Sequence, residues 1–292
     1  MGLFKRRVKR IIEVETLPSV SDNTSVRLDD GAVLNLGNAQ DAGARAYQED
    51  SYGFSDLSEE TVLKKGVFAV LADGMGGLEN GKAVSDATVR MMLQSFNNYP
   101  ERIAYGAQLR SLIEKVSDVV TRNFNLRGST SGTTLVSVAV NGSDLIWASV
   151  GDSRLYLIRR KHLFQVTEDG DYLNDLLDAV LEGDIEAAEA FGNAQRNALP
   201  HFIGSGRNLK IDYSHKSLAL RDGDVILICS DGVYNAIPPE TILDCMSDTA
   251  QKTANLIKSE VLARGHTKQD NLTAIVMEYK NNSGIGTTAQ FY

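Results

Sequence analysis

The sequence predicts an α+β fold in which mostly antiparallel strands and helices segregate into layers. Short alternating strands are joined by turns of roughly two to four residues, which implies antiparallel pairing. Helical periodicity is confined to separate blocks and does not alternate with strands, so a doubly wound parallel sheet is disfavoured. At 292 residues and 42% hydrophobic content the chain can bury a core as one large domain or two small ones.

The elements follow in order. Leu17 to Gly31 is polar and turn-rich and leads into a first strand at Ala32 to Leu36. An Asp/Gly/Arg segment ending in "YQEDSYGF" precedes an apolar strand, Val67 to Ala72. Val84, Ala87, Met91 and Met92 recur at helical spacing, as do Leu109, Leu112, Ile113, Val116 and Val120, with Pro100 between the two helices. A meander follows: "TTLVSVAV", "LIWASV", the tight turn "GDSR", "LYLIRR" and "LFQVT". Asp171 to Phe191 is helical and acidic and reads as an inserted cap. Strands resume at Leu209 to Tyr213, Ser217 to Ala219 and Asp224 to Cys229. A helix near Thr253 to Arg264, ended by Gly265, leads to a last strand, Leu272 to Tyr279. The residues after Lys280 are expected to be disordered.

Composition narrows the chemistry. No stretch has the 18 or so apolar residues of a membrane span, and "MGLFKRRVKR" lacks a signal peptide's apolar core, so a cytoplasmic protein is expected. Cys229 and Cys245 form no CxxC pair, and the four histidines are scattered, which disfavours zinc; any metal would be held by oxygen. A net charge of −8, from 30 basic and 38 acidic side chains, disfavours nucleic acid as a partner. Lys5, Arg6, Arg7, Lys9 and Arg10 are the exception. This short basic run reads as a solvated tail in preference to a membrane-surface contact.

Acids recur at strand ends. "VFAVLAD" ends on Asp73, "LIWASVGD" on Asp152 and "VILICSD" on Asp231, while Asp270 precedes "LTAIVMEY". Each alone fits an ordinary turn or cap. Converging at one sheet edge, two such carboxylates about 4 Å apart would repel by roughly 4 kcal/mol at an effective dielectric of 20. That cluster needs cations, and hard oxygen ligands point to Mg²⁺ or Mn²⁺.

Around these acids runs an ordered series: "RAYQEDS", "ADGMGG", "SGTTL", "GDSRLYL", "QRNALPHFIG", "CSDGVYN" and "QDNLTAI". It resembles the metal-dependent Ser/Thr protein phosphatases of type 2C, the PPM family, in their bacterial form. The resemblance spans about Ala32 to Tyr279 and implies two packed antiparallel sheets flanked by helices on both sides, a four-layer αββα sandwich with a flap insertion at about 168–205. The domain is accordingly expected at 31–280, with extensions at 1–30 and 281–292. By motif position, Asp73 resembles the carboxylate bridging two metals, with the Gly74 carbonyl a further ligand; a side chain at 74, 76 or 77 would crowd that site. Glu49 resembles the second metal's ligand, with Asp50 positioning its water. Asp231 and Asp270 resemble ligands of the first metal, supported by Asn271, and Asp152 a ligand of a weaker third. A water between two cations would attack phosphorus directly, and Arg45 would grip the phosphoryl oxygens as a bidentate fork; its alternative is an exposed salt bridge. Thr133 and Thr134 are expected to hydrogen-bond beneath the metal strands. Two or three Mg²⁺ or Mn²⁺ ions, monomeric phosphatase activity on phosphoserine and phosphothreonine proteins, and an opposing Ser/Thr kinase are thereby implied.

Two departures matter. Met75 stands where eukaryotic relatives often carry a histidine assigned as general acid, and Met has no proton to give. "GDYLNDLLDAV" replaces the relatives' histidine-serine pair, so the flap differs. A catalytically silent, phosphoprotein-binding relative is the alternative; it would usually lack a metal carboxylate, and Glu49, Asp50, Asp73, Asp231 and Asp270 are all present. Two-metal hydrolysis of nucleic acid is disfavoured by charge.

Overall fold

The computed structural model describes residue 20 and residues 24–75, 79–100, 102–124, 131–196, 198–206 and 209–281. The basic amino-terminal run, the expected carboxy-terminal tail from residue 282, and Gly76 and Gly77 lie outside these described residues.

Two six-stranded sheets face each other. The first is ordered β1 (Thr24–Arg27), β2 (Val33–Asp41), β14 (Leu272–Lys280), β13 (Val225–Cys229), β9 (Arg154–Arg159), β10 (His162–Gln165). The second is ordered β11 (Asp212–Tyr213), β8 (Asp144–Val150), β7 (Leu135–Asn141), β4 (Val67–Ala72), β3 (Ser51–Phe54), with β12 (Leu218–Ala219) also paired to β8. A two-stranded ribbon, β5 (Gly74–Met75) with β6 (Gly132–Thr133), extends the second sheet's end. Every pairing between these strands is antiparallel.

Period-two alternation builds three apolar layers from these strands. In β4, Ala69 and Leu71 point between the sheets, where they meet Leu36, Val138, Leu155, Ile226 and Ile275. Phe68 and Val70 point outward, where they meet Val84 and Met92 of α2 (Glu79–Asn98) and Leu109 and Ile113 of α3 (Gly106–Phe124). On the far side, Leu227, Ala274 and Val276 pack under Ile257 and Val261 of α8 (Ala250–Ala263). All six β4 residues are buried because both faces are covered. The fold is the expected four-layer αββα sandwich.

Three local expectations are corrected. The polar segment 17–31 contains β1, which pairs in register with Leu36 to Val33, so the first sheet begins before the boundary expected at residue 31. A helix absent from the sequence reading, α1 (Glu59–Lys65), precedes β4; Ser58 caps it and Gly66 ends it at φ 79°. The "GDSR" turn is not a hairpin. β8 belongs to the second sheet and β9 to the first, so Gly151 to Ser153 carries the chain between sheets. The acidic cap resolves into α4 (Tyr172–Glu182), capped by Asp171, and α5 (Ala187–Gly192). Two short helices, α6 (Asp231–Tyr234) and α7 (Pro239–Asp244), follow β13. Cys229 and Cys245 are both free and buried, as the apolar surroundings of Cys229 imply.

Candidate metal centre

The strand ends set the geometry of the site. β4 ends at Ala72, and the next residue, Asp73, is held by three hydrogen bonds from a neighbouring strand pair. Its carbonyl accepts from Thr134 N–H at 2.9 Å and Thr133 Oγ1 at 2.7 Å, and its own N–H donates to Thr134 Oγ1 at 3.0 Å. Thr134 Oγ1 also meets Ser153 Oγ at 2.7 Å, which ties Asp73 to the crossover that carries Asp152. The two threonines thus do what the sequence suggested for them.

Close backbone approaches bring in the rest. A Cβ at Gly74 would sit 2.5 Å from Gly81 O and 2.7 Å from Glu49 O, so only glycine lets these three segments meet. At Gly232 a Cβ would strike the Asn271 carbonyl, and this contact sets Asp231 beside Asp270. Asn271 then braces the acidic loop: it accepts Glu49 N–H at 2.7 Å and donates to the carbonyls of Ala42 and Tyr47.

Arg45, Glu49, Asp73, Gly74, Met75, Thr134, Asp152, Asp231, Asp270 and Asn271 accordingly border one cleft of about 300 Å³, with Leu199 closing one side. Asp50 is fully buried beneath it, not on its wall. Burial raises the pKa of each of Glu49, Asp50, Asp73, Asp152 and Asp231. Asp50 is pushed to about 6 and Asp152 to about 7, with Asp231 adding repulsion to both. Asp73 stands well above the usual carboxylate range, because burial is compounded by repulsion from Asp50, Asp231, Asp152 and Asp270.

Among the described residues no three Asp, Glu, His or Cys side chains close on one point as a finished cage. The donors instead fan around the cleft, and their chemistry fits hard divalent cations. All are oxygens, and two buried atoms, Glu49 Oε1 and Asp50 Oδ1, have no hydrogen-bond partner. An unpartnered buried carboxylate oxygen is costly unless a cation meets it.

The family described as Protein phosphatase 2C matches residues 43–268, most of the chain. The chain belongs to the protein phosphatase 2C family. Protein phosphatase PhpP of Streptococcus pneumoniae is 30% identical over 219 residues, 71% of this chain and 84% of that one. The serine/threonine phosphatase Stp of Listeria monocytogenes is 26% identical over 244 residues, 80% and 91% of the two chains. The solved catalytic domain of the serine/threonine phosphatase PstP, in complex with two manganese ions, superposes with a TM-score of 0.65 at 26% identity, covering 86% of this chain and 100% of that one.

Within this protein phosphatase 2C domain, sequence reasoning missed several supports. Gly81 lies against Glu49 Oε1, in the first turn of α2, where the Asn-Gly pair reads locally as a turn and not as a support for Glu49. Lys82 donates to the Asp50 carbonyl at 2.8 Å and Ser51 Oγ at 3.0 Å. Arg154 grips Asp169 at the flap's base with contacts of 2.6 to 3.1 Å and stacks 3.6 Å from the Tyr234 ring, whose hydroxyl donates to the Asp152 carbonyl. Only the adjacency of Arg154 to Asp152 in "GDSR" hinted at this.

Arg45 shows the salt-bridge alternative: Nη2 lies 2.6 Å from Asp270 Oδ2, and the side chain is 56% exposed. It nonetheless borders the cleft, so a planar guanidinium fork stands at its edge. Arg45→Ala is expected to raise KM and lower kcat on p-nitrophenyl phosphate, since the fork would hold the phosphoryl group in ground and transition states alike. Steady-state kinetics decide it, and an unchanged kcat/KM assigns Arg45 to the Asp270 ion pair alone.

Proposed function

We propose that this chain is a metal-dependent phosphatase of phosphoserine and phosphothreonine in proteins, acting in the cytoplasm as a monomer on the products of a Ser/Thr kinase. The observation that carries the reading is the convergence of Asp73, Asp152, Asp231, Asp270 and Glu49, from distant points of both sheets, on one cleft that also holds Arg45. Manganese in the PstP neighbour and the all-oxygen donor set support Mn²⁺ or Mg²⁺, two or three ions. Glu49, Asp73, the Gly74 carbonyl, Asp152, Asp231 and Asp270 would hold them. Such ions supply an acidified attacking water and offset the carboxylates' charge.

The chain's own residues do the rest. Arg45 orients the phosphoryl group, and Asn271 keeps the Glu49 backbone against Asp270. The Asp73 backbone is fixed at the cleft by Thr133 and Thr134 on its carbonyl and N–H. Among the described residues no helix is long and apolar enough to cross a membrane.

The test is hydrolysis of a phosphothreonine peptide with and without metal. Excess EDTA is expected to abolish turnover, and Mn²⁺ or Mg²⁺ to restore it. Full activity in EDTA would sink the mechanism. Metal binding without any turnover would point to the silent, phosphoprotein-binding alternative.

A further inference from the structure

Asp50 is the one acid of the cluster that never reaches the cleft surface, yet its surroundings are the most fully specified. Its Oδ2 accepts two hydrogen bonds, from Ser230 Oγ at 2.8 Å and Thr273 Oγ1 at 2.7 Å. All three residues are buried, at 0% exposure. Its Oδ1, buried equally, has no donor.

The polarity of both bonds is set from behind. A hydroxyl has one proton, and with a donor engaging its oxygen from behind, that proton is left for the carboxylate oxygen, which as a carboxylate can only accept. Ser230 Oγ accepts the backbone N–H of Thr273 at 3.0 Å. Thr273 Oγ1 accepts Gln40 Nε2 at 2.9 Å. The Gln40 amide cannot be turned round, because the same nitrogen also meets the Asp50 carbonyl, an acceptor only, at 3.3 Å. Both hydroxyl protons therefore point at Oδ2.

The three supports come from adjacent strands of the first sheet. Gln40 lies on β2 opposite Thr273 on β14, and Ser230 directly follows β13. Asp50 enters β3 at the far sheet's edge, so the relay also pins one sheet's acid to the other sheet at the metal end.

We propose that Ser230, Thr273 and Gln40 are positioning residues of the metal centre: a one-way hydrogen-bond relay that occupies Asp50 Oδ2 and leaves Oδ1 as its only free acceptor toward the ions. The inference rests on the metal-dependent reading above and goes beyond it by assigning these residues a task. Outer-shell partners of this kind typically contribute about 10- to 100-fold in metal affinity.

The experiment is isothermal titration of Mn²⁺ into the full chain after EDTA stripping and buffer exchange, without substrate. Thr273→Val keeps the side chain's shape and removes the proton, whereas Thr273→Ser keeps the proton and removes the methyl. The valine variant is expected to bind Mn²⁺ at least about tenfold more weakly than wild type, and the serine variant within about twofold of it. Ser230→Ala, which deletes one oxygen, is expected to follow the valine variant and stands in for it if valine fails to fold. Gln40→Leu frees the Thr273 proton without deleting it, and is expected to cost less than either. Wild-type affinity in Thr273→Val or Ser230→Ala overturns the relay, as does an equal loss in Thr273→Ser, which would assign the effect to methyl packing. A wild-type chain that binds no Mn²⁺ overturns the metal reading and the relay together.

Discussion

Replacing Asp73 by Asn is expected to lower kcat on phosphothreonine peptide by about a thousandfold or more, roughly 4 kcal/mol of barrier, while leaving the fold intact. The loss would follow from position: Asp73 is the acid on which the repulsion of Asp50, Asp231, Asp152 and Asp270 converges, so its charge is the one that bound cations would offset most. In chelator the same substitution is expected to stabilise the protein. Asp50, Asp73 and Asp152 have folded pKa values raised above their unfolded values, two of them to about 6 and about 7. The folded state thus binds protons more tightly than the unfolded chain. That contribution is present below the unfolded carboxylate pKa of about 4 and is lost as pH rises through about 6 and 7. The wild-type melting temperature in EDTA is therefore expected to fall from about pH 5 to 8, and Asp73→Asn to flatten that fall. Thermal melts across this range in EDTA measure both effects. A variant that melts far below wild type at about pH 8 would make Asp73 structural instead.

Asp152→Asn is expected to cost a phosphopeptide at least about tenfold more in kcat than it costs p-nitrophenyl phosphate, a difference of roughly 1.4 kcal/mol. A serine or threonine alkoxide is a strongly basic leaving group that needs a proton, whereas p-nitrophenolate departs without one. Met75 borders the cleft but has no proton to donate. Asp152 borders the same cleft, and a cation it helped to hold would supply acidified water on that side as the source of the proton. Its backbone is steadied there by the Tyr234 hydroxyl on its carbonyl. The comparison is made at saturating Mn²⁺ with both substrates. Equal losses would mean that Asp152 only maintains the cluster.

How much of this was legible beforehand differs by residue. Val67–Ala72 was read to the residue because a six-residue apolar run between Gly66 and Asp73-Gly74 has a strand's length and turn signals at both ends. α2 and α3 were read from periodicity, since one face of each must be buried. β1 was missed because Thr24–Arg27 is an edge strand of polar residues with one buried side chain, Val26, and its strand state comes from pairing with β2. α1 was missed because a short charged helix with only Val62 buried has no stripe to detect. Arg45 was read as a phosphate fork with a salt bridge as the alternative, and only its position relative to Asp270 displayed the pair.

By itself, the sequence determined which carboxylates end strands, that their donors are hard oxygens, and that glycines stand where backbones must close up. Those are local properties, set by side-chain chemistry and by the two periodicities of the chain. Tertiary structure alone decided that "GDSR" crosses between sheets and so brings Asp152 to the cluster, that Gly232 lets Asp231 meet Asp270, and that Asp50 lies beneath the cleft under Ser230 and Thr273. The physical reason is that a turn of given composition can join two strands of one sheet or two sheets. Which it does is fixed by how two apolar faces pack around Leu71, Val138, Leu155 and Ile226, residues far apart in the chain.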